Sequence, residues 1–557
     1  MAASEAAPPS ATAEPAGPPG ARPKPQFASR EAGTALPLHL LERLCTAEEM
    51  RRMDERAIQG WGLPARLLME NAGHEVAAHL QRLLRSRRAE GSILRQAPVA
   101  VCCGSGNNGG DGYAAARLLR NAGVHCLVIR SGAPRTPDAR ANAEAWTHFG
   151  RTLDWDTEEP ACRTALAEAP GLVDALFGTG LSRALEGAVR GLIDAMNAAP
   201  APVKLAVDLP SGIHSDTGAV LGAAVRATHT VCFQVAKIGC HQFPGAGLCG
   251  ELKVVPVSIA PAWPPDATPT YRLSGRFVSA IRPPRPREGH KGTFGHLLAI
   301  CGSAGMGGAA QLCGLAAAKI GTGLVTLAVP KALQDRFLAG APELMTYAPP
   351  GGATEHFDAS HADALAEEAA RRDAVVLGCG LGRARETGAF VKALVPRLTG
   401  PLLLDADGLY HLTPDAVAGR GTPAILTPHP GELARLSGLS VETLQRDRVT
   451  HARQIARRWG VVLVMKGAGT VIAAPDGAVF INPTGDQGLA TGGTGDVLTG
   501  MIGGFLAQGA EPLPAALLGV YAHGLARDLT RPALSSASFT AMDLIRGLNA
   551  ALRSLQG

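Results

Sequence analysis

A chain of 557 residues exceeds what one typical core holds, so two or more domains are expected. Hydrophobic residues make up 46% of it and charged residues 18%, the balance of ordinary globular material. The formal charge of +5 is small for this length, aromatics are only 4%, and no basic block with interleaved aromatics occurs, so nucleic acid is excluded as the expected partner.

Residues 1–37 are rich in Ala and Pro and lack the apolar core of a secretory signal, which predicts a disordered tail. Order is expected from Leu38. Thr46 with Glu49 three residues on spells a capping box that opens a helix, and a second helix is expected from about Leu67 to Leu84. Apolar strands then alternate with helical segments through "APVAVCC", "VHCLVIRSG", a helix around Asn142 to His148, "GLVDALFG", a helix through Leu192 to Met196, "VKLAVDLPSG", "HTVCFQV" and "ELKVVPVSI". Continuous apolar strands separated by amphipathic helices predict a parallel sheet covered on both faces. The Pro-rich stretch 261–272 reads as a linker. A second strand–helix series fills 273–557 and is no repeat of the first, so the expected architecture is two distinct α/β domains, 38–260 and 273–557, the first a doubly wound sheet. No apolar run of about eighteen residues occurs, so no membrane span is expected. Eleven cysteines without any C-x-x-C pair, in apolar settings, predict reduced thiols in a cytoplasmic, reducing compartment.

Gly104, Gly106 and Gly109 spell the G-x-G-x-x-G of a dinucleotide-binding turn. Such a cradle wants an acidic residue at the end of the next strand, where this chain has Arg130, suited at best to a 2′-phosphate. Asn107, Asn108 and Asp111 also crowd a loop that an ordinary cofactor cradle leaves plain. Asp174, followed by Gly178, Thr179 and Gly180, and Asp208, followed by Ser211, end two further strands. Ligands of doubly wound sheets sit at the carboxyl ends of strands, so these carboxylates share a rim. Either alone reads equally well as a helix-capping carboxylate.

In the second series Gly492, Gly493 and Gly495 precede a helix beginning near Asp496. Backbone N–H groups at that terminus make an anion hole, and Asp496 stands where it could deprotonate a hydroxyl attacking a phosphoryl group, or merely cap the helix. Lys466 ends a strand and leads into Gly467, Gly469 and Thr470, a phosphate-contact pattern that is not a P-loop. His74 and His79 lie about 140° apart around a helix, which rules out H-E-x-x-H zinc geometry, and no G-x-S-x-G elbow exists.

"NNGGDG", "VDALFGTGL" and "VDLPSGI", in that order within 38–260, resemble the NAD(P)H-hydrate (NAD(P)HX) epimerase family, the YjeF N-terminal domain, as does "LLMENAGHEVA" around Glu70 and Asn71. The resemblance implies a Rossmann-like fold whose substrate is a damaged nicotinamide cofactor. It implies that Asn107, Asn108, Gly109, Gly110 and Asp111 line the substrate together with Gly178, Thr179, Gly180, Leu181, Ser182, Arg183 and Ala184. It places a potassium ion on Asn108, Asp174 and Ser211, and Asp208 beside the reacting carbon. An amide, a carboxylate and a hydroxyl are the hard oxygen donors potassium prefers, and a fixed carboxylate can serve as general base or acid.

"GSAGMGGAA", "GCGLG", "LLLDADGL", "TPHPGEL", "KGAGT" and "GGTGD" resemble the ADP-dependent NAD(P)H-hydrate dehydratase family, the ribokinase-like YjeF C-terminal domain. That resemblance implies adenine-nucleotide contacts by Lys466, Gly467, Ala468, Gly469, Thr470 and Gly495. It puts the hydrate against Ala309, Gly382, His429 and Asp496. ADP would phosphorylate the hydrate's hydroxyl with Mg²⁺ bridging the nucleotide, and loss of phosphate would restore the dihydronicotinamide. His429 has the plainer option of supporting its Pro-rich turn. Cys379 replaces a proline of the pattern, a departure expected to alter turn rigidity more than chemistry. The expectation is a bifunctional isomerase and lyase that interconverts the R and S forms of NADHX and NADPHX and dehydrates the S form, with ADP converted to AMP and phosphate. Its partners would be these small molecules and further copies of itself in a homo-oligomer. A ribokinase-like small-molecule kinase fused to a Rossmann-like regulatory domain remains open, as does a non-catalytic scaffold, against which Asp208, Asp496 and Lys466 all stand present.

Overall fold

The computed structural model describes residues 36–89, 97–260, 263, 267–337, 340–352 and 354–556. All but the last two residues of the tail expected over 1–37 lie outside that set.

Seven strands form the first sheet, all parallel. From one edge to the other they are Thr152–Asp154, Cys126–Arg130, Val99–Cys103, Leu172–Ala175, Lys204–Val207, His229–Phe233 and Glu251–Val255. The chain winds outward from Val99–Cys103 in both directions, so the switch point falls between that strand and Leu172–Ala175. Alternate residues explain the unbroken apolar strands. Val99, Val101 and Cys103 pack with Val76 and Leu80 of the helix Ala65–Ala89, while Ala100 and Cys102 pack with Cys162 and Leu192 on the opposite face. Each such large side chain, once buried, contributes about 1.5–3 kcal/mol.

The second sheet has eleven strands. Its parallel part runs Val462–Met465, Ile425–Leu426, Leu402–Leu404, Ala374–Leu377, His296–Ile300, Leu324–Ala328 and Met345–Tyr347. The switch point lies between Ala374–Leu377 and His296–Ile300. Beyond Val462–Met465 come Val471–Ala473, Val479–Ile481, Thr270–Arg272 and Glu42–Leu44, an edge with mostly antiparallel pairing.

Two boundaries differ from the expected ones. Glu42–Leu44 pairs with Thr270–Arg272 in the second sheet although it precedes the first in sequence, and Thr270–Arg272 is a strand at the end of the expected linker 261–272. Both are three-residue segments, too short to show a period. The sheets are thereby joined: Cys45 N–H donates to the Ala236 carbonyl at 3.0 Å, and Leu44, Ala236 and Ile238 lie in the core of the second sheet. The capping box at Thr46 and Glu49 is present. The helix expected around Asn142 instead spans Pro137–Trp146, with Thr136 as N-cap and Pro137 at its first position. Thr152–Asp154 and the helix Glu159–Glu168 lacked a pattern strong enough to read.

Candidate active sites

The first rim forms around the switch point. Gly104 follows the strand Val99–Cys103, and a side chain there would meet the Leu176 carbonyl oxygen at 1.9 Å, so the two central strands can diverge only past a glycine. At Gly109 the space is taken by the Gly104 carbonyl, also at 1.9 Å, whereas Gly106 faces open space. Two of the three motif glycines thus serve chain crossing. Gly109 and Gly110 are buried, the latter beneath Met69, and Leu181 belongs to the hydrophobic core, so these three build the floor. Asn107, Gly180, Ser182, Arg183 and Ala184 are exposed, and Gly178 and Thr179 are half-buried beside them. Arg130 donates to Asp154 at 3.0 Å, which commits its guanidinium to an ion pair.

Asp174 is buried and accepts from the Ser211 hydroxyl at 2.6 Å, the Ser211 N–H at 2.8 Å and the Leu176 N–H at 3.3 Å. Burial pushes its carboxyl up to about 6, with the Ser211 bonds opposing. The buried Asn108 borders Gly178, and its Nδ2 has no protein partner. Asp208 adopts φ +68°, a left-handed conformation that aspartate tolerates better than most residues. Its carboxylate accepts from the Phe233 N–H at 3.0 Å and from the ammonium of Lys237. Neither Asp174 nor Asp208 caps a helix.

Lys237 was not singled out by sequence. Its side chain is wholly buried, with Nζ donating to the Phe233 carbonyl at 3.0 Å and lying 3.6 Å from the Cys232 sulfur. Burial opposes its charge, and the Asp208 carboxylate together with Cys232 and Cys45 outweighs burial, so its pKa is raised. Asp54, also missed, has its carboxyl pushed up to about 6, chiefly by burial. Asp111 is pushed well above the usual range by burial, with Asp208 and Asp54 adding to it. The Lys237 ammonium therefore acts on Asp54 and Asp208, and those two carboxyls in turn act on Asp111. Such a set keeps one carboxyl ionised and another protonated near neutrality, which is the requirement for giving and taking a proton within one site.

The second rim collects the loops that follow five parallel strands. Lys466 Nζ lies 2.8 Å from Asp405 Oδ1, and the Thr499 hydroxyl donates to Asp405 Oδ2 at 2.6 Å. Burial works against the Lys466 charge, and the Asp405 and Glu432 carboxylates more than restore it. A side chain at Gly495 would come 3.7 Å from Lys466 Nζ, so lysine and glycine face one space. The helix Thr494–Ala507 starts from Gly493 at φ +88°, with no side chain capping its first turn. Its N–H groups are thus open to an anion. Arg448 is buried and donates to the carbonyls of Met465, Lys466 and Ala468, which fixes the 466–470 loop from beneath.

Asp496 stands third in that helix and is no cap. Its carboxyl is pushed up to about 8 by burial first, then by Cys379 and by Asp405, with Lys466 opposing. Cys379 thus acts on the Asp496 charge, beyond the turn rigidity expected of it. A side chain at Gly380 would meet Ala309 Cβ at 3.0 Å and one at Gly382 would meet the Ser303 hydroxyl at 3.2 Å, so Ala309 and Gly382 border one corner. Asp407 holds that corner by accepting from the Gly382 N–H at 2.9 Å and from Arg383 at 3.1 Å. His429 caps the helix Pro430–Ser437, its Nδ1 accepting from the Gly431 N–H at 3.0 Å, so the plainer option for this residue is realised while its ring stays half exposed. Asp405, Asp407 and Thr499 escaped sequence reasoning. The aspartates stood in view in "LLLDADGL", but the partners of Asp405, Lys466 and Thr499, and of Asp407, Gly382 and Arg383, lie far away in the chain.

Two doubly wound sheets, each gathering aspartates, a lysine and a glycine-lined helix start at its strand ends, define a two-site α/β enzyme acting on small anionic molecules. Residues 65–239 match the family model described as YjeF-related protein N-terminus, and residues 297–548 match that of NAD(P)H-hydrate dehydratase. The bifunctional NAD(P)H-hydrate repair enzyme Nnr of Moorella thermoacetica is 40% identical over 525 residues, which cover 92% of this chain and 97% of that protein. Its namesake in Escherichia coli is 35% identical over 522 residues, covering 92% and 94%. A solved ADP/ATP-dependent NAD(P)H-hydrate dehydratase from Bacillus subtilis, co-crystallised with ATP/Mg²⁺, is 34% identical and covers 51% of this chain and 97% of its own, with a TM-score of 0.45. The chain belongs to the family of bifunctional NAD(P)H-hydrate repair enzymes.

Proposed function

We propose that the first sheet, within 38–260, interconverts the R and S forms of NADHX and NADPHX. The second, within 273–557, returns the S form to NAD(P)H while ADP becomes AMP and phosphate. The observation that carries this reading is the pairing on the second rim of a phosphate grip, Lys466 beside Gly495, with a desolvated carboxyl, Asp496, one residue further on.

Hydroxide is a poor leaving group, and phosphate a good one. Asp496 takes the proton of the hydrate's hydroxyl as that oxygen attacks the β-phosphorus, and its raised pKa makes it a fitting base near neutrality. The open N–H groups of the helix start and Lys466 stabilise charge on the transferring phosphoryl group. Lys466, Gly467, Ala468, Gly469, Thr470 and Gly495 hold the nucleotide. Ala309, Gly382 and the outer edge of His429 hold the hydrate. The carboxylates of Asp405 and Asp407 are committed to protein partners, so the rim offers Mg²⁺ no protein cage. Phosphate oxygens and water would hold it instead, and it would offset phosphate charge.

In the first site Asp208, ion-paired with Lys237, acts as the base, and the carboxyl of Asp111, which burial holds protonated, returns a proton. Asn108, Asp174 and Ser211 would be the oxygen donors for potassium. The buried carboxylate of Asp174 suits a hard cation, which would supply charge favouring its ionised form. The loop from Gly178 to Ala184 and the helix start at Asn107 flank the substrate.

The enzyme is a cytoplasmic homo-oligomer in this reading. Eleven buried, unpaired cysteines suit a reducing compartment, and among the described residues no helix is long and apolar enough to cross a membrane. Ile58, Trp61 and Leu67 are exposed close together in the chain, apolar surface that a second copy would cover.

The test is the near-ultraviolet absorbance of the dihydronicotinamide ring. S-NADHX with ADP is expected to regain it at once, and R-NADHX only as fast as the first site converts it. Accumulation of a phosphorylated product without regained absorbance would instead identify a small-molecule kinase.

A further inference from the structure

We propose that Cys301, Cys313 and Cys379 form a binding site for a thiophilic metal ion of the zinc and cadmium class, with Asp496 completing the ligand set. Cys301 directly follows the strand His296–Ile300, Cys313 lies mid-way along the helix Gly307–Lys319, and Cys379 sits in the loop after Ala374–Leu377. Their three sulfur atoms all lie within 4.8 Å of one another, and no other His, Cys, Asp or Glu group among the described residues converges in this way. All three are fully buried. Cys232, Cys240 and Cys249 beside the first site do not converge in this way.

Tetrahedral zinc holds sulfur at about 2.3 Å, which sets neighbouring sulfurs about 3.8 Å apart. The trio reaches that spacing by closing in by roughly 1 Å, within the range of small side-chain rotations. Thiolates select soft and borderline ions, so the Mg²⁺ and K⁺ of the two reactions do not compete. The fourth position falls to the Asp496 carboxylate, which lies near enough to Cys301 and Cys379 for its charge to act on both thiols. Binding takes in one M²⁺ and forms three metal–sulfur bonds and one metal–oxygen bond, while the thiols, and the Asp496 carboxyl where it is protonated, release their protons to solvent. It draws Asp496 away from the hydrate, so dehydration stops and epimerisation continues. That consequence rests on the role proposed for Asp496, whereas the binding itself does not.

The test is titration of the reduced full-length protein with Cd²⁺. A sulfur-to-cadmium charge-transfer absorbance is expected to saturate at one equivalent, with protons released to solvent, dehydration lost in step, epimerisation retained and a chelator restoring activity. Cys313→Ala is expected to weaken Cd²⁺ binding by at least the roughly 10–100-fold that loss of a supporting residue costs at metal sites, and to resist inhibition. Cys249→Ala should titrate as the parent does. Absence of the band, or an unchanged titration in Cys313→Ala, would overturn the site. A band with undiminished dehydration would overturn the part given to Asp496.

Discussion

Asp496→Asn is expected to abolish NAD(P)H-hydrate dehydration while epimerisation continues at its parent rate. Asparagine has the same shape, so the helix Thr494–Ala507 and its open first turn remain, together with the Lys466–Asp405 pair that braces the nucleotide side. What disappears is the group that takes the hydroxyl proton, and general-base catalysis contributes about 10²–10⁴ in rate. Nucleotide affinity should change little, because the N–H groups, Lys466 and the loop held by Arg448 are untouched. Dehydration is read from S-NADHX and ADP by ring absorbance, and epimerisation by separating the two forms chromatographically. Simultaneous loss of both activities would show that the two rims do not work independently.

Lys237→Met is expected to abolish epimerisation and to destabilise the protein. Methionine fills the space of the lysine stem but leaves the buried Asp208 carboxylate without its counter-charge. Removing one partner of a buried pair costs about 3–5 kcal/mol, since the charge left behind has no compensation. Asp208→Asn should also lose epimerisation. The double variant Asp208→Asn/Lys237→Met is expected to recover most of the stability and none of the activity, because no orphaned charge is left and no base either. Urea unfolding of the three variants separates these cases. The damage should extend beyond the first sheet, for Ala236 and Ile238 on either side of the lysine pack in the second core. Equal stability of Lys237→Met and its parent would mean that Lys237 is no counter-ion.

What could be read in the chain was whatever is local and periodic. The strand Val99–Cys103 announced itself as an unbroken apolar run, Thr46 and Glu49 as a capping box, and Gly492 to Asp496 as a helix start. These signals placed both rims, because the topology of a doubly wound sheet carries its strand ends to one edge. Asp208 and Lys466 could be named as single residues, but their partners could not. Lys237 follows a different strand from Asp208, and Asp405 precedes Lys466 by two strands in the sheet. Nothing at Lys237 distinguishes it in sequence from a solvated lysine, and only the fold shows that its side chain has no exposure. Gly109 and Gly110 looked like ligand-facing glycines because motif and packing demand the same residue there. The three-residue strands Glu42–Leu44 and Thr270–Arg272 were illegible for want of length, so the tie between the sheets emerged only in three dimensions.

The most direct test of the account is diffraction from crystals of the full chain soaked with NADHX. It predicts the hydrated ring in both sites, within hydrogen-bond reach of Asp208 on the first sheet and of Asp496 on the second. A bound hydrate whose ring lies apart from both carboxyls would contradict it.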